Sequence, residues 1–174
     1  MLNCKISKKF TTPCQTNVAG IDKIAIANWN PNYVFTSSNS GSCIDSIDLK
    51  NEKAFDMPFM DGTAYFNVTG TIGANRDSKY YLHTVGFVLP NLSCENLEDL
   101  TNYFLAKVIV FVKTKNGAVY ALGVDSGISA STFEIGSGTA EGDQSGLNVV
   151  YDGAQKNPML EITDWSLVEA LFAE

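Results

Sequence analysis

The stretch KVIVFVKTKNGAVYALGVDSGISASTFEIGSGTAEGDQSGLNVVYDG, residues 107–153, decides the fold. Val108–Val112 is an unbroken apolar run, mostly β-branched, which predicts a strand buried on both faces. Lys115-Asn116-Gly117 follows as a tight turn, because Asn-Gly takes the positive φ angles that hairpins need. Val119–Val124 returns as the second arm of that hairpin, and Asp125-Ser126-Gly127 turns the chain again. Ser129–Ile135 and Leu147–Tyr151 are the next strands, joined by Gly-rich corners. The carboxylates of this stretch sit in turns, where they serve local backbone hydrogen bonds.

Working outward, residues 1–19 read as an extended arm, Thr-rich and broken by Pro13. Ile21–Ala27 is a strand, with Ile21, Lys23, Ala25 and Ala27 expected on one face and Ile24 and Ile26 on the other. Residues 31–61 form an irregular excursion with a short strand at Cys43–Leu49. Its apolar residues Phe55, Met57, Phe59 and Met60 serve either the domain's own core or a neighbouring molecule. Thr63–Gly73 and Tyr80–Leu89 alternate well and predict a long antiparallel pair. Ser93 begins a helix whose Leu97, Leu100, Phe104 and Leu105 form one apolar face. A last strand, Met159–Ile162, precedes a short helix capped by Thr163 or Asp164. The whole is one mainly β domain spanning residues 1–174: a β-sandwich or partly open barrel with a central flanking helix and a short C-terminal helix.

A chain of 174 residues, 45% hydrophobic and 18% charged, has enough length for one good core. The net charge of −7 is unevenly spread. Lys5, Lys8 and Lys9 stand near the start with no acid among them, whereas from Asp125 onward nine acids face only Lys156. That acidity argues against tight nucleic-acid binding, which needs cations against phosphates. Four scattered cysteines with one histidine, and no CxxC pair, do not compose a zinc site, so reduced, partly buried thiols are expected. No apolar stretch of signal-peptide or membrane-span type is present, and a soluble product of a reducing cytoplasm is expected.

Chemistry is sparse. His83 lies in a strand with no acidic neighbour in sequence, and no GxSxG elbow precedes a helix. Asp125-Ser126-Gly127 with Glu141-Gly142-Asp143 lacks the ligand count of a calcium loop, and GSGTAEGDQSG lacks the lysine of a phosphate loop. No catalytic residue, metal ligand or cofactor is assigned.

Two phrases together carry a resemblance: Cys14-Gln-Thr-Asn-Val-Ala-Gly-Ile-Asp-Lys-Ile-Ala-Ile-Ala-Asn-Trp29, and TKNGAVYALGVDSGI (114–128) followed by SGTAEGDQSGLNVVYDGAQKNPMLEI (137–162). The order of turns and short strands resembles virion structural proteins of tailed bacteriophages, above all major tail tube proteins of phages infecting Bacteroidetes-like hosts. The likeness covers the first strand and the last third of the chain. It implies a sandwich whose long strands join those of five neighbours in a homohexameric ring, the rings stacking into a tail tube that conducts DNA during ejection. It implies no catalytic residue.

Under that resemblance the partners are other copies of the chain, other tail proteins and double-stranded DNA in non-specific passage, with no membrane. The product is made in the host cytoplasm and resides in the virion tail. Four strands from each of six subunits make a barrel of about 24 strands, roughly 50 Å across at ~40° tilt. The pair 63–89 supplies the lumen candidates Asn67, Thr69, Lys79 and Tyr81. Lys5, Lys8 and Lys9 of the arm, with Phe55, Met57, Phe59 and Met60 of the excursion, are the candidates for contacts between subunits. Two other readings stand beside it. One is a different virion component, such as a head–tail connector, tail terminator or capsid decoration protein. The other is a ligand- or glycan-binding β-sandwich presenting Trp29, Tyr33 and Phe35.

Overall fold

A computed structural model describes residues 18–37, 43–73, 78–90, 102–103, 105–137 and 145–173. Among them 57% lie in strands and 5% in helix, so the protein is mainly β. The long strands are β1 (Ile21–Asn28), β6 (Tyr65–Ile72), β7 (Lys79–Leu89), β8 (Lys107–Thr114), β10 (Ile128–Gly136) and β11 (Gly146–Gln155). Shorter strands are β2 (Val34–Thr36), β3 (Cys43–Ile44), β4 (Ser46–Asp48), β5 (Ala54–Asp56), β9 (Val119–Leu122) and β12 (Leu160–Ile162). β2 and β4 pair on their own, and the other ten strands form one sheet.

The sheet is organised around β8, as its apolar run requires. β1 lies antiparallel along one edge of β8, from Ile21↔Thr114 to Asn28↔Val108. The other edge is shared: β9 takes Val110 to Lys113, and β10 takes Lys107 and Val108. From this fork one arm continues β9-β12-β3 and the other β10-β11-β7-β6. The expected Asn116-Gly117 turn closes β8 to β9, with Gly117 at φ 88° and its amide bonded to the Thr114 carbonyl.

The alternation of β8 divides the interior. Val108, Val110 and Val112 enter one core with Ile24 and Ile26 of β1, Val85 and Phe87 of β7, and Leu147, Val149 and Tyr151 of β11. Leu122 of β9 joins them, so residues of both arms meet in a single apolar layer. Ile109 and Phe111 point the other way, into a second core with Ala25, Ala27, Ala121, Ile162, Trp165 and Val168. Burial on both faces, at about 25 cal/mol per Å² of apolar surface, makes β8 costly to disturb. Within that first layer the rings of Phe87 and Tyr151 stack with centroids 6.2 Å apart.

Several expectations need correction or restriction. Ile21 does not share a face with Ala25 and Ala27. A register shift between Ile21 and Lys23 turns it into the first core beside Ile24 and Ile26. Cys43–Leu49 is two short strands rather than one, and Cys43 is exposed rather than partly buried. The terminal helix is a single turn, Ser166–Glu169; Asp164 receives the Ser166 amide at 2.7 Å. Of the central helix, Asn102, Tyr103 and Leu105 are helical, and the rest of it lies outside the described residues. So do the arm before Val18, the polar tips 38–42 and 74–77, and most of the Gly-rich corner 138–144.

Candidate functional site

The arm β10-β11-β7-β6 presents one face to the core and leaves the other accessible. Directly opposed residues of an antiparallel pair share a face, so the registers assign every side chain. Asn67 opposes Thr84 and Thr69 opposes Leu82, while Thr84 opposes Asp152 and Leu82 opposes Ala154. The same face runs on through Asn148 to Glu134 and through Val150 to Thr132. It is therefore a mixed platform of hydroxyls and amides with the exposed side chains of Tyr65, Tyr80 and Leu82, and with Glu134 and Asp152 as its acids. None of the residues just named is basic.

The four lumen candidates divide between two faces. Asn67 and Thr69 lie on the platform, exposed as expected. Lys79 opposes Ile72 and Tyr81 opposes Gly70, an arrangement that puts both on the core-facing side with His83 and Val85. Lys79 is exposed there because the core ends before it, and Tyr81 is half-buried with its ring against Gly70. The alternation within each strand was legible; which parity of β7 matches which parity of β6 depends on the register, and nothing local encodes it.

The contact candidates also part company. Met57 is 6% exposed and packed in the first core, and Phe59 packs against that core from its rim. Met60 is partly buried, its amide donating to the Val88 carbonyl. Phe55 is 48% exposed. The excursion thus covers its own domain through Met57 and Phe59, and displays Phe55. Lys5, Lys8 and Lys9 lie outside the described residues.

The edges of this arm are as informative as its face. β6 ends the sheet and has no strand on its outer side among the described residues. β10 is held by β8 only through Ile128 and Ser129, so the far end of its outer edge has no described strand beside it. Ile72 on β6 is 67% exposed and Ile135 on β10 is 55% exposed. Both belong to the core-facing side, since Ile72 opposes Lys79 and Ile135 opposes Leu147. Sequence reading passed over these two isoleucines. Their signal was an aliphatic residue at the end of a strand whose polar face is elsewhere.

The other chemistry-bearing residues are engaged locally. His83 is 2% exposed, with its Nδ1 accepting from the Gly123 amide at 3.2 Å. Asp125 accepts from the Asn157 amide and side chain at 2.9 and 3.0 Å. The Trp29 indole donates to the Val124 carbonyl at 3.1 Å and lies beneath Lys107 Nζ, and Tyr33 and Phe35 pack against the second core. These three aromatics form no exposed cluster. No group of three or more His, Cys, Asp or Glu is placed to hold a metal among the described residues, and no helix there is long and apolar enough to cross a membrane. The chain matches no protein-family profile and no curated protein.

Proposed function

We propose that this chain is a structural virion protein, the protomer of a homohexameric ring that stacks into a phage tail tube and passes DNA. The observation that carries the reading is the four-stranded arm, with its accessible, largely polar face and the stretches of its two outer edges that have no strand beside them among the described residues. An open edge beside an exposed aliphatic residue is an aggregation hazard unless a defined partner covers it. A second copy is such a partner.

The strand directions allow closure. β10, β11, β7 and β6 alternate, so a neighbour added head to tail sets its β10 antiparallel to this β6, and every junction around a ring repeats. The stagger is compatible with closure into a ring. Thr132 near the middle of β10 is level, through Val150, with Gly86, whereas Val68 near the middle of β6 is level with His83. That drift of about one residue per strand corresponds to a tilt of roughly 35° at ~3.3 Å along and ~4.8 Å across the strands. With 24 strands the backbone diameter is about 45 Å, and side chains leave room for a duplex roughly 20 Å wide.

In this reading the core between the arms is that of a sandwich, and the platform faces the lumen. Asn67, Thr69, Thr84 and Thr132 then contact passing DNA without holding it, and Glu134 and Asp152 repel its phosphates. Lys79 and Tyr81 belong instead to the wall between subunits, near Ile72. Negative-stain microscopy and native mass spectrometry of the purified protein test the reading. Sixfold rings or tubes are expected. A protein that stays monomeric at high concentration and is absent from labelled tails overturns it.

A further inference from the structure

The fork of the sheet carries a buried polar cluster that the proposed assembly does not use. β9 and β10 diverge at the turn 123–127, which is held by β7, by β11 with the residues just past it, and by the Trp29 indole on the Val124 carbonyl. The Gly123 amide donates to His83 Nδ1 on β7 at 3.2 Å. Gln155 on β11 accepts from the Asp125 and Ser126 amides at 3.1 and 3.0 Å, and its Nε2 donates to the Gly127 carbonyl at 2.8 Å. Asp125 in turn binds Asn157, just past the end of β11. His83 and Gln155 are each 2% exposed, and they are the buried polar side chains of the described interior.

A histidine whose Nδ1 accepts an amide proton is neutral, with its own proton on Nε2. A proton added at Nδ1 takes the lone pair that Gly123 uses, so the ring becomes a donor facing a donor. It also places a charge where solvent does not reach. We propose that His83 is an acid-released latch: its protonation frees the turn 123–127 from β7 and loosens the junction between the two arms of the sheet.

The surroundings favour the neutral ring. Burial pushes the His83 pKa below its ordinary value of 6.5, and this outweighs the Asn157 backbone and the Asp125 carboxylate, which act in the opposite direction. Nε2 is buried without a hydrogen-bond partner of good geometry. Across the strands His83 opposes Val68 on β6 and Gly153 on β11, neither of which titrates. Its neighbours on the same face of β7 are Tyr81 and Val85, and Asp125 of the turn is the charged group that acts on it. A group held neutral in the fold but free to protonate when unfolded stabilises fully above pH 6.5. That contribution falls as pH drops from there toward the lowered folded value.

The test is amide hydrogen exchange of the whole protein at pH 7.5 and pH 5, corrected for intrinsic rates, with His83→Gln beside the wild type. Glutamine keeps a carbonyl acceptor for Gly123 and does not titrate. At least a tenfold loss of protection at residues 123–127 on acidification is expected in the wild type and not in H83Q. Equal protection at both pH values in the wild type, or the same loss in H83Q, overturns the latch. If H83Q does not fold, imidazole ¹⁵N shifts of the wild type decide. A neutral Nε2–H ring with a midpoint below 6.5 supports the proposal, and a midpoint at or above 6.5 overturns it.

Discussion

Tyr65 lies across Gly86: a Cβ built on that glycine would stand 2.5 Å from the Tyr65 ring. The two residues oppose each other in the β6–β7 ladder, so the ring fills the gap that the missing side chain leaves on the platform. Gly86→Ala forces the ring away. Tyr65 is 50% exposed and free to swing, so the cost is lost packing rather than a rigid clash. A destabilisation of roughly 1–2 kcal/mol is expected, read as a lower midpoint in urea at unchanged slope.

Ile72 and Ile135 separate assembly from folding. Each is largely exposed in the single chain, so Ile72→Lys or Ile135→Lys changes monomer stability by no more than about 0.5 kcal/mol. A charge at the end of an open strand edge opposes pairing with another copy. Each variant is expected to remain folded by circular dichroism while native mass spectrometry shows at least a tenfold loss of rings. Normal rings from both variants would remove these edges from the interface.

The excursion 31–61 gives a paired contrast. Met57→Ala opens a cavity in the first core and is expected to cost about 2–4 kcal/mol in chemical denaturation. Phe55→Ala, two positions earlier on the exposed side, is expected to cost under about 1 kcal/mol in the monomer. Any larger effect of Phe55→Ala then belongs to assembly, and appears only at concentrations where rings form.

Tyr33 links stability to alkaline pH. Burial, aided by the negative charge of Glu52, pushes its hydroxyl up to about 12. The folded protein therefore keeps a proton that the unfolded chain loses near pH 10, and stability falls as pH rises from about 10 to about 12. The hydroxyl has no protein partner. Tyr33→Phe is expected to be neutral or slightly stabilising at pH 7, and to flatten the decline above pH 10 in a thermal-melt series. An unchanged slope there would assign the alkaline loss to other groups.

Much of this architecture was legible in the residues. The run Val108–Val112 announces a strand covered on both faces because no polar residue interrupts it, and Asn116-Gly117 names its turn. The faces of Ile24, Ala25, Ile26 and Ala27 were legible, but Ile21 was misplaced because the register shift before Lys23 leaves no mark in a row of Ile, Asp, Lys and Ala. Phe55 and Met57 are both large and apolar, and only the placement of β5 against β1 decides which is covered. The platform was half visible: the alternation exposes Asn67 and Thr69, but Lys79 and Tyr81 needed the cross-strand register. His83 reads as an ordinary strand histidine, and Gln155 lies beyond the strand expected at Leu147–Tyr151; their partners stand 40 and about 30 positions away.

The central place of β8 also sets a schedule for synthesis. Asn28 finds its partner in Val108, 80 residues later in the chain. At ~5–20 residues per second a ribosome takes roughly 4–16 s to make that interval. β5 can cover Ala25–Ala27 from one side once Ala54–Asp56 has been made, but the edge of Ile24, Ala25, Ile26 and Ala27 that meets β8 stays open for the whole interval. The hairpin of β8 and β9, closed by a short local turn, is ready within moments of its own appearance. β1 therefore waits for the template that completes it, and a nascent chain stalled before Lys107 is the species that a chaperone must shield.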